Sequence, residues 1–157
     1  VARFGSLGVT ASVQFSHAPS DRDLAERFWG ERAEGAYAFR ALWDSGALVA
    51  NGSDAPVEEL DPLAGIRAGV LRTIDERDAW HPEQRVTVEE ALVATTVNPA
   101  WLAGDERRRG RLLPGFLADL VVLSRDLPEC PPDELDSVEV VATMLGGRWT
   151  HNPPPWD

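Results

Sequence analysis

The chain has 157 residues, the size of one ordinary domain, and its 43% hydrophobic content is enough to bury a core. Its 26 acidic side chains outnumber 15 basic ones, and the formal charge of -11 repels phosphate backbones and excludes a basic nucleic-acid-binding face. No apolar run approaches the ~20 residues of a membrane span, so neither nucleic acid nor a membrane is an expected partner and the expected location is cytoplasmic.

The chain opens as Val1-Ala-Arg-Phe-Gly, without an initiator Met or a charged-then-apolar leader, which reads as the interior of a longer fold. From Val9 to Phe15, apolar Val9, Ala11, Val13 and Phe15 alternate with polar Thr10, Ser12 and Gln14, the period of a strand with one packed face. If that strand belongs to a (β/α) barrel, Gln14 and His17 sit at its C-terminal end. A polar crossover, His17 to Asp23, precedes helical spacing through Leu24, Phe28 and Trp29, and again through Phe39, Leu42 and Trp43, with Gly46 as the C-terminal cap. The run 47–54 predicts a buried strand whose Gly52 allows close backbone approach and which ends on Asp54. Strand, helix, strand is the unit of a parallel α/β sheet.

Asp61-Pro62 is a helix start, and Leu63, Ile66, Val70 and Ile74 form one helical face. Trp80 and His81 fall in a polar loop. Thr87-Val-Glu-Glu90 predicts a capping box, and Asn98-Pro99 the end or a break of that helix. Beyond Arg111 helical periodicity disappears. Strands are expected over 118–123 and 138–145, with Gly146-Gly147 turning the latter into Arg148-Trp149-Thr150 and a loose tail over 153–157.

Few residues are candidates for chemistry. Asp54, a carboxylate ending a strand, can ligate a metal and take a proton from water, or can simply cap the Gly-Ser-Asp-Ala-Pro turn. His17 can ligate a metal, bind a substrate oxygen or satisfy a loop hydrogen bond. Ser53 is placed to orient Asp54. His81 and His151 have no spaced partners. Cys130, alone in Glu-Cys-Pro-Pro, reads as a loop thiol. With three His and one Cys, no self-contained zinc site of the usual type is visible, and no nucleophile or phosphate-loop motif occurs.

Five motif groups, taken in order, resemble one family: Ala11-Ser-Val-Gln14 with His17; Trp29-Gly-Glu-Arg32; Gly52-Ser-Asp-Ala-Pro-Val-Glu58 with Asp61-Pro62; Pro82-Glu-Gln-Arg85 with Thr87 and Glu89-Glu-Ala-Leu92; and Pro114-Gly115 with Ala118-Asp-Leu-Val-Val-Leu123. The family is the amidohydrolase superfamily, in its family 3 branch of N-substituted formamide deformylase-like enzymes. The resemblance implies an α/β fold, the C-terminal fragment of a metal-dependent hydrolase's TIM-like (β/α)8 barrel plus C-terminal strands of a small β-sandwich. Residues 1–110 would supply the last two β/α units with following helices, and 111–152 the sandwich strands.

The resemblance further implies that Asp54 is both a metal ligand and the catalytic group handling the proton of the attacking water, and that His17 and Gln14 bind substrate. Phe15 stands where the family's Gln-Pro-x-His segment has Pro. The implied cofactor is a divalent metal, zinc, in the full-length parent, not stably bound by this chain alone, because the family's His-x-His and its other metal ligands are not in the sequence. A small amide-type molecule is the implied substrate, and no pattern sets an oligomeric state. The alternative is a noncatalytic binding or assembly module derived from a truncated hydrolase.

Overall fold

Two short parallel strands carry the first half of the molecule. In the computed structural model, which describes residues 1–153, β1 (Ala11–Val13) follows a single helical turn, α1 (Arg3–Ser6). A short helix α2 (His17–Ser20), then α3 (Arg22–Trp29), a 3-10 turn over Gly30–Gly35 and α4 (Phe39–Asp44) cross over to β2 (Val49–Asn51). Ala11, Ser12 and Val13 stand opposite Val49, Ala50 and Asn51 in parallel register. β1 falls in the alternating segment and β2 in the apolar run where strands are expected, but each holds only three residues. Val9, expected on the packed face, is 45% exposed, whereas Phe15 beyond the strand end is fully buried.

The crossover differs from its expectation in two ways. His17–Ser20 is helical, because Ala18 and Pro19 bury against the core and pull the segment inward. In α3 only Ala25 is buried, while Leu24, Phe28 and Trp29 are 56%, 68% and 49% exposed. The helix rests on its small residue, and its large apolar side chains face outward. Gly46 acts as expected, closing α4 at a φ of 78° that suits glycine. Gly52 does not, since nothing lies within 4 Å of where its Cβ would be.

Helix α5 (Pro62–Leu71) starts as its sequence demands: the Asp61 carboxylate accepts from Leu63 N–H at 2.9 Å and Pro62 occupies the first turn. It stops one turn earlier than the apolar spacing suggests. Arg72 adopts the left-handed conformation at φ 61°, so Ile74 falls outside the helix and is 65% exposed. A 3-10 turn (Pro82–Gln84) leads to α6 (Val88–Thr95), whose capping box is complete, with Thr87 N–H donating to Glu90 and Glu90 N–H to Thr87 Oγ1. Near Asn98-Pro99 the helix breaks, but the helical region does not end there. The chain bends at Thr96 and restarts as α7 (Val97–Leu102), with Pro99 in the first turn, where a missing N–H costs no intrahelical bond.

The last part is an antiparallel sheet of β3 (Leu120–Leu123), β4 (Val140–Leu145) and β5 (Arg148–His151), with a 3-10 turn at Pro132–Ser137 between β3 and β4. Gly146 and Gly147, at φ 57° and 77°, make the two-residue hairpin turn. Leu127, Cys130, Leu135 and Val138 leave this sheet and join Phe15, Phe39, Val49, Ile66 and Ala91 in one core. Phe15 and Phe39 meet edge to face at 4.9 Å. α5 approaches this pair closely because residue 69 is glycine: a Cβ there would lie 2.8 Å from the Phe15 ring. Most of the predicted tail, 154–157, lies outside the described residues.

Candidate functional site

The parallel pairing brings the C-terminal ends of β1 and β2 to one edge, and the candidate residues follow directly from them. Asn51, last in β2, accepts from Phe15 N–H through Oδ1 at 2.8 Å, and Gly52 N–H donates to Val13 O at 3.0 Å. These two bonds fix where the chain leaves each strand. Asn51 Nδ2 also donates to Thr95 Oγ1 at 3.3 Å, anchoring the strand end to α6.

From one strand end α2 begins with His17; from the other the chain turns through Asp54, which holds φ at 57°. Their side chains converge, with His17 Nε2 at 3.8 Å from Asp54 Oδ2. That separation is beyond a direct hydrogen bond. Nε2 is buried and makes no hydrogen bond among the described residues, while the Asp54 side chain is 53% exposed. A polar atom between them could engage both. Gln14 is half-buried and joins through its backbone, its carbonyl accepting from His17 N–H at 3.3 Å. Ser53 does not orient Asp54 as expected. Its Oγ accepts from Ala55 N–H at 3.3 Å, closing the turn instead.

Arg72 and Tyr37, which the sequence reading passed over, shape the surroundings. Arg72 is fully buried, donating from Nε to Trp80 O at 2.9 Å and from Nη1 to Tyr37 O at 3.2 Å, with its guanidinium carbon 5.0 Å from the Phe39 ring centre. Burial pushes its pKa down to about 10, which leaves it charged at neutral pH. Tyr37 OH donates to Asp21 Oδ2 at 2.5 Å; burial, and then that bond, hold the phenol above its ordinary 10.0. On the other side, Ser20 OH donates to Glu58 at 2.5 Å, joining α2 to the loop that follows Asp54. Trp80, expected in a polar loop, is buried against Tyr37 at 5.7 Å. An arginine directly after an apolar helix face was the one signal in the sequence for such a buried cation.

Among the described residues no three His, Cys, Asp or Glu side chains come together as a metal site. Asp54 and His17 offer two donors, short of the three or four protein ligands zinc takes. This chain's own residues therefore do not fit a complete metal centre. A groove of about 600 Å³ runs along α5, lined by Ser16, Glu58, Arg67, Leu71, Ile74 and Asp136. Neither His17 nor Asp54 lines it, so it is not where this pair would act.

The sequence pattern of the Amidohydrolase family matches residues 1–151, nearly the whole chain and both strand ends of the site. The chain belongs to that family. Among curated relatives, Protein LONG AFTER FAR-RED 3 of Arabidopsis thaliana is 40% identical over 149 residues, covering 93% of this amidohydrolase chain and 25% of the plant protein. N-substituted formamide deformylase of Arthrobacter pascens is 32% identical over 108 residues, 69% of this chain and 20% of that enzyme. A solved metal-dependent hydrolase of Pyrococcus horikoshii superposes with a TM-score of 0.71 at 28% identity, over 83% of this chain and 27% of its own. The amidohydrolase chain thus spans about a quarter or less of the length of the relatives it matches. Among the described residues no helix is long and apolar enough to cross a membrane.

Proposed function

We propose that this chain forms the C-terminal part of a metal-dependent amidohydrolase that cleaves non-peptide carbon-nitrogen bonds of small amides or formamides. In this reading residues 1–110 supply the last two β/α units of a barrel and 111–152 the strands of a small β-sandwich, in a cytoplasmic enzyme. One observation carries it: His17 Nε2 and Asp54 Oδ2 stand 3.8 Å apart where two adjacent parallel strands end, the edge at which α/β folds place their chemistry. The name of the Arthrobacter relative supports an amide-type substrate, and that of the Pyrococcus hydrolase supports a metal.

Asp54 is the proton-handling group and one metal ligand. As water adds to the carbonyl carbon, its carboxylate accepts the water proton; as the carbon-nitrogen bond breaks, it delivers that proton to the leaving nitrogen, giving a carboxylic acid and an amine. Its half-exposed side chain leaves room for a substrate to reach it. His17, whose Nε2 has no hydrogen-bond partner among the described residues, binds a substrate oxygen, and Gln14 contributes to the same subsite. A divalent cation, zinc, would polarise the carbonyl when bound; the remaining ligands would have to come from outside these residues.

The test begins with the intact mass of the native polypeptide. A mass well above this chain's 17.2 kDa leads to metal analysis of that polypeptide and to hydrolysis of N-substituted formamides. Asp54→Asn is expected to lower kcat by at least ~10³-fold with the fold intact. Unchanged turnover in that variant refutes the role of Asp54, and a native mass near 17.2 kDa without metal supports the binding-module alternative.

A further inference from the structure

Residues 15–21, the segment that carries His17, are pinned at both ends by side chains from elsewhere in the fold. At the start Asn51 holds Phe15 N–H. At the far end the hydrogen bond from Tyr37 OH holds the carboxylate of Asp21, whose own N–H closes α2 on His17 O at 2.9 Å. Asp21 thus ends the one turn of helix that His17 begins. So short a helix has almost no stiffness of its own; Ala18 and Pro19 seat it on the core, and what holds its last residue tunes the direction in which its first projects.

Tyr37 is a rigid post for this purpose. Its ring contacts Phe39 at 6.2 Å and Trp80 at 5.7 Å, and its carbonyl accepts from the buried Arg72. Arg72 in turn donates to Trp80 O and accepts through its own carbonyl from Trp80 N–H at 2.8 Å, so the post stands on a base tied in both directions. The Tyr37 hydroxyl is the one polar atom that this aromatic and cationic cluster extends to α2 by a hydrogen bond among the described residues. Ser20 and Glu58 make a second tie, but an exposed one.

We propose that Tyr37 and Asp21 form a positioning pair for His17: the phenol, fixed on the Arg72 cluster, holds Asp21 and thereby keeps the His17 imidazole facing Asp54. This rests on the reading of His17 and Asp54 as the site. Neither Tyr37 nor Asp21 touches the reacting atoms in that reading; both act through the tilt of α2.

The experiment uses histidine-labelled full chain and reads the imidazole cross-peaks at one fixed pH. These 157 residues hold three histidines, their peaks assigned by single His→Gln variants, and each reports on a different place. His81 packs on Trp80 at 4.5 Å and therefore senses any loosening of the cluster, while His151 lies in β5 and senses global change. Tyr37→Phe and Asp21→Ala are each expected to shift the His17 peaks while those of His81 and His151 stay in place, and the double variant to shift them no further than either single one. Asp21→Asn keeps an oxygen that can accept from the phenol and is expected to restore the native His17 position.

Static His17 peaks in both Tyr37→Phe and Asp21→Ala overturn the proposal. So does a shift of His81 or His151 as large as that of His17, which marks a general structural role. The mild Asp21→Asn substitution keeps the comparison decisive even where Asp21→Ala folds poorly, because a His17 shift there as large as in Tyr37→Phe also counts against it. This readout is blind to turnover. Failure of the hydrolase reading would appear only in the metal and substrate experiments above.

Discussion

Asn51 provides the sharpest quantitative test of how the two strand ends are held. Replacing it by Ala strands the Phe15 N–H next to a fully buried ring and removes the bond to Thr95 Oγ1. A buried amide left without an acceptor costs ~1–3 kcal/mol, and the second, weaker hydrogen bond adds ~0.5–1.5 kcal/mol, for a total of about 3 kcal/mol. In a chain of 157 residues that corresponds to a fall in Tm of about 6–12 °C. Asn51→Asp retains the acceptor for Phe15 N–H and loses only the donation to Thr95, so it is expected to cost about a third as much, ~1 kcal/mol. Urea denaturation of the three proteins, with an unchanged m-value as the check on the unfolded state, measures both. Equal destabilisation by Ala and Asp would refute the reasoning, since it would mean that the Phe15 amide is not what Asn51 serves.

Gly69→Ala sets two effects against each other: the helix gains ~1 kcal/mol of propensity, but the new methyl lies 2.8 Å from the Phe15 ring and overpacking costs ~1–3 kcal/mol. A net loss of ~1 kcal/mol in chemical denaturation is expected, and a gain would show that the ring yields freely. Arg72→Lys keeps a charge but loses the planar fork that reaches the Trp80 and Tyr37 carbonyls from two separate nitrogens, and is expected to cost ~2–3 kcal/mol in the same assay. Tyr37 is the single tyrosine, so ultraviolet absorbance of tyrosinate reports it alone: its midpoint is expected above 10.0 and nearer that value in Asp21→Ala. Because the fold favours the neutral phenol, Tyr37's contribution is fully present below pH 10 and is lost as pH rises through its higher folded pKa. Arg72 works in the opposite sense, since raising pH through about 10 relieves the cost of burying its charge.

What could be read from the sequence and what could not divide along physical lines. The capping box at Thr87, the Asp61-Pro62 helix start and the Gly146-Gly147 turn rest on local chemistry and stand as predicted. Alternation located β1 and a short apolar run located β2, but pairing length depends on the partner strand, and only three rungs form. Amphipathic spacing identified α3 as a helix yet not the side it buries, because Ala25 rather than Phe28 or Trp29 meets the core. The meeting of His17 with Asp54 joins residues 37 positions apart, and only the parallel register of their strands brings it about. Arg72 was missed for a related reason. A buried cation is recognisable only through the carbonyls and rings that gather around it from distant segments.

In the proposed reading of Asp54, its left-handed backbone sets folding and chemistry at odds. A side chain held at φ 57° strains the chain by about 1 kcal/mol relative to glycine, less for Asp than for most residues because its short polar group tolerates this conformation. A library randomised at position 54 and sorted for stability alone should therefore enrich glycine and asparagine and discard the carboxylate. If Asp54 handles the proton as proposed, sorting the same library in the native polypeptide for turnover returns Asp54 from among the less stable variants, and the two selections separate at this one codon.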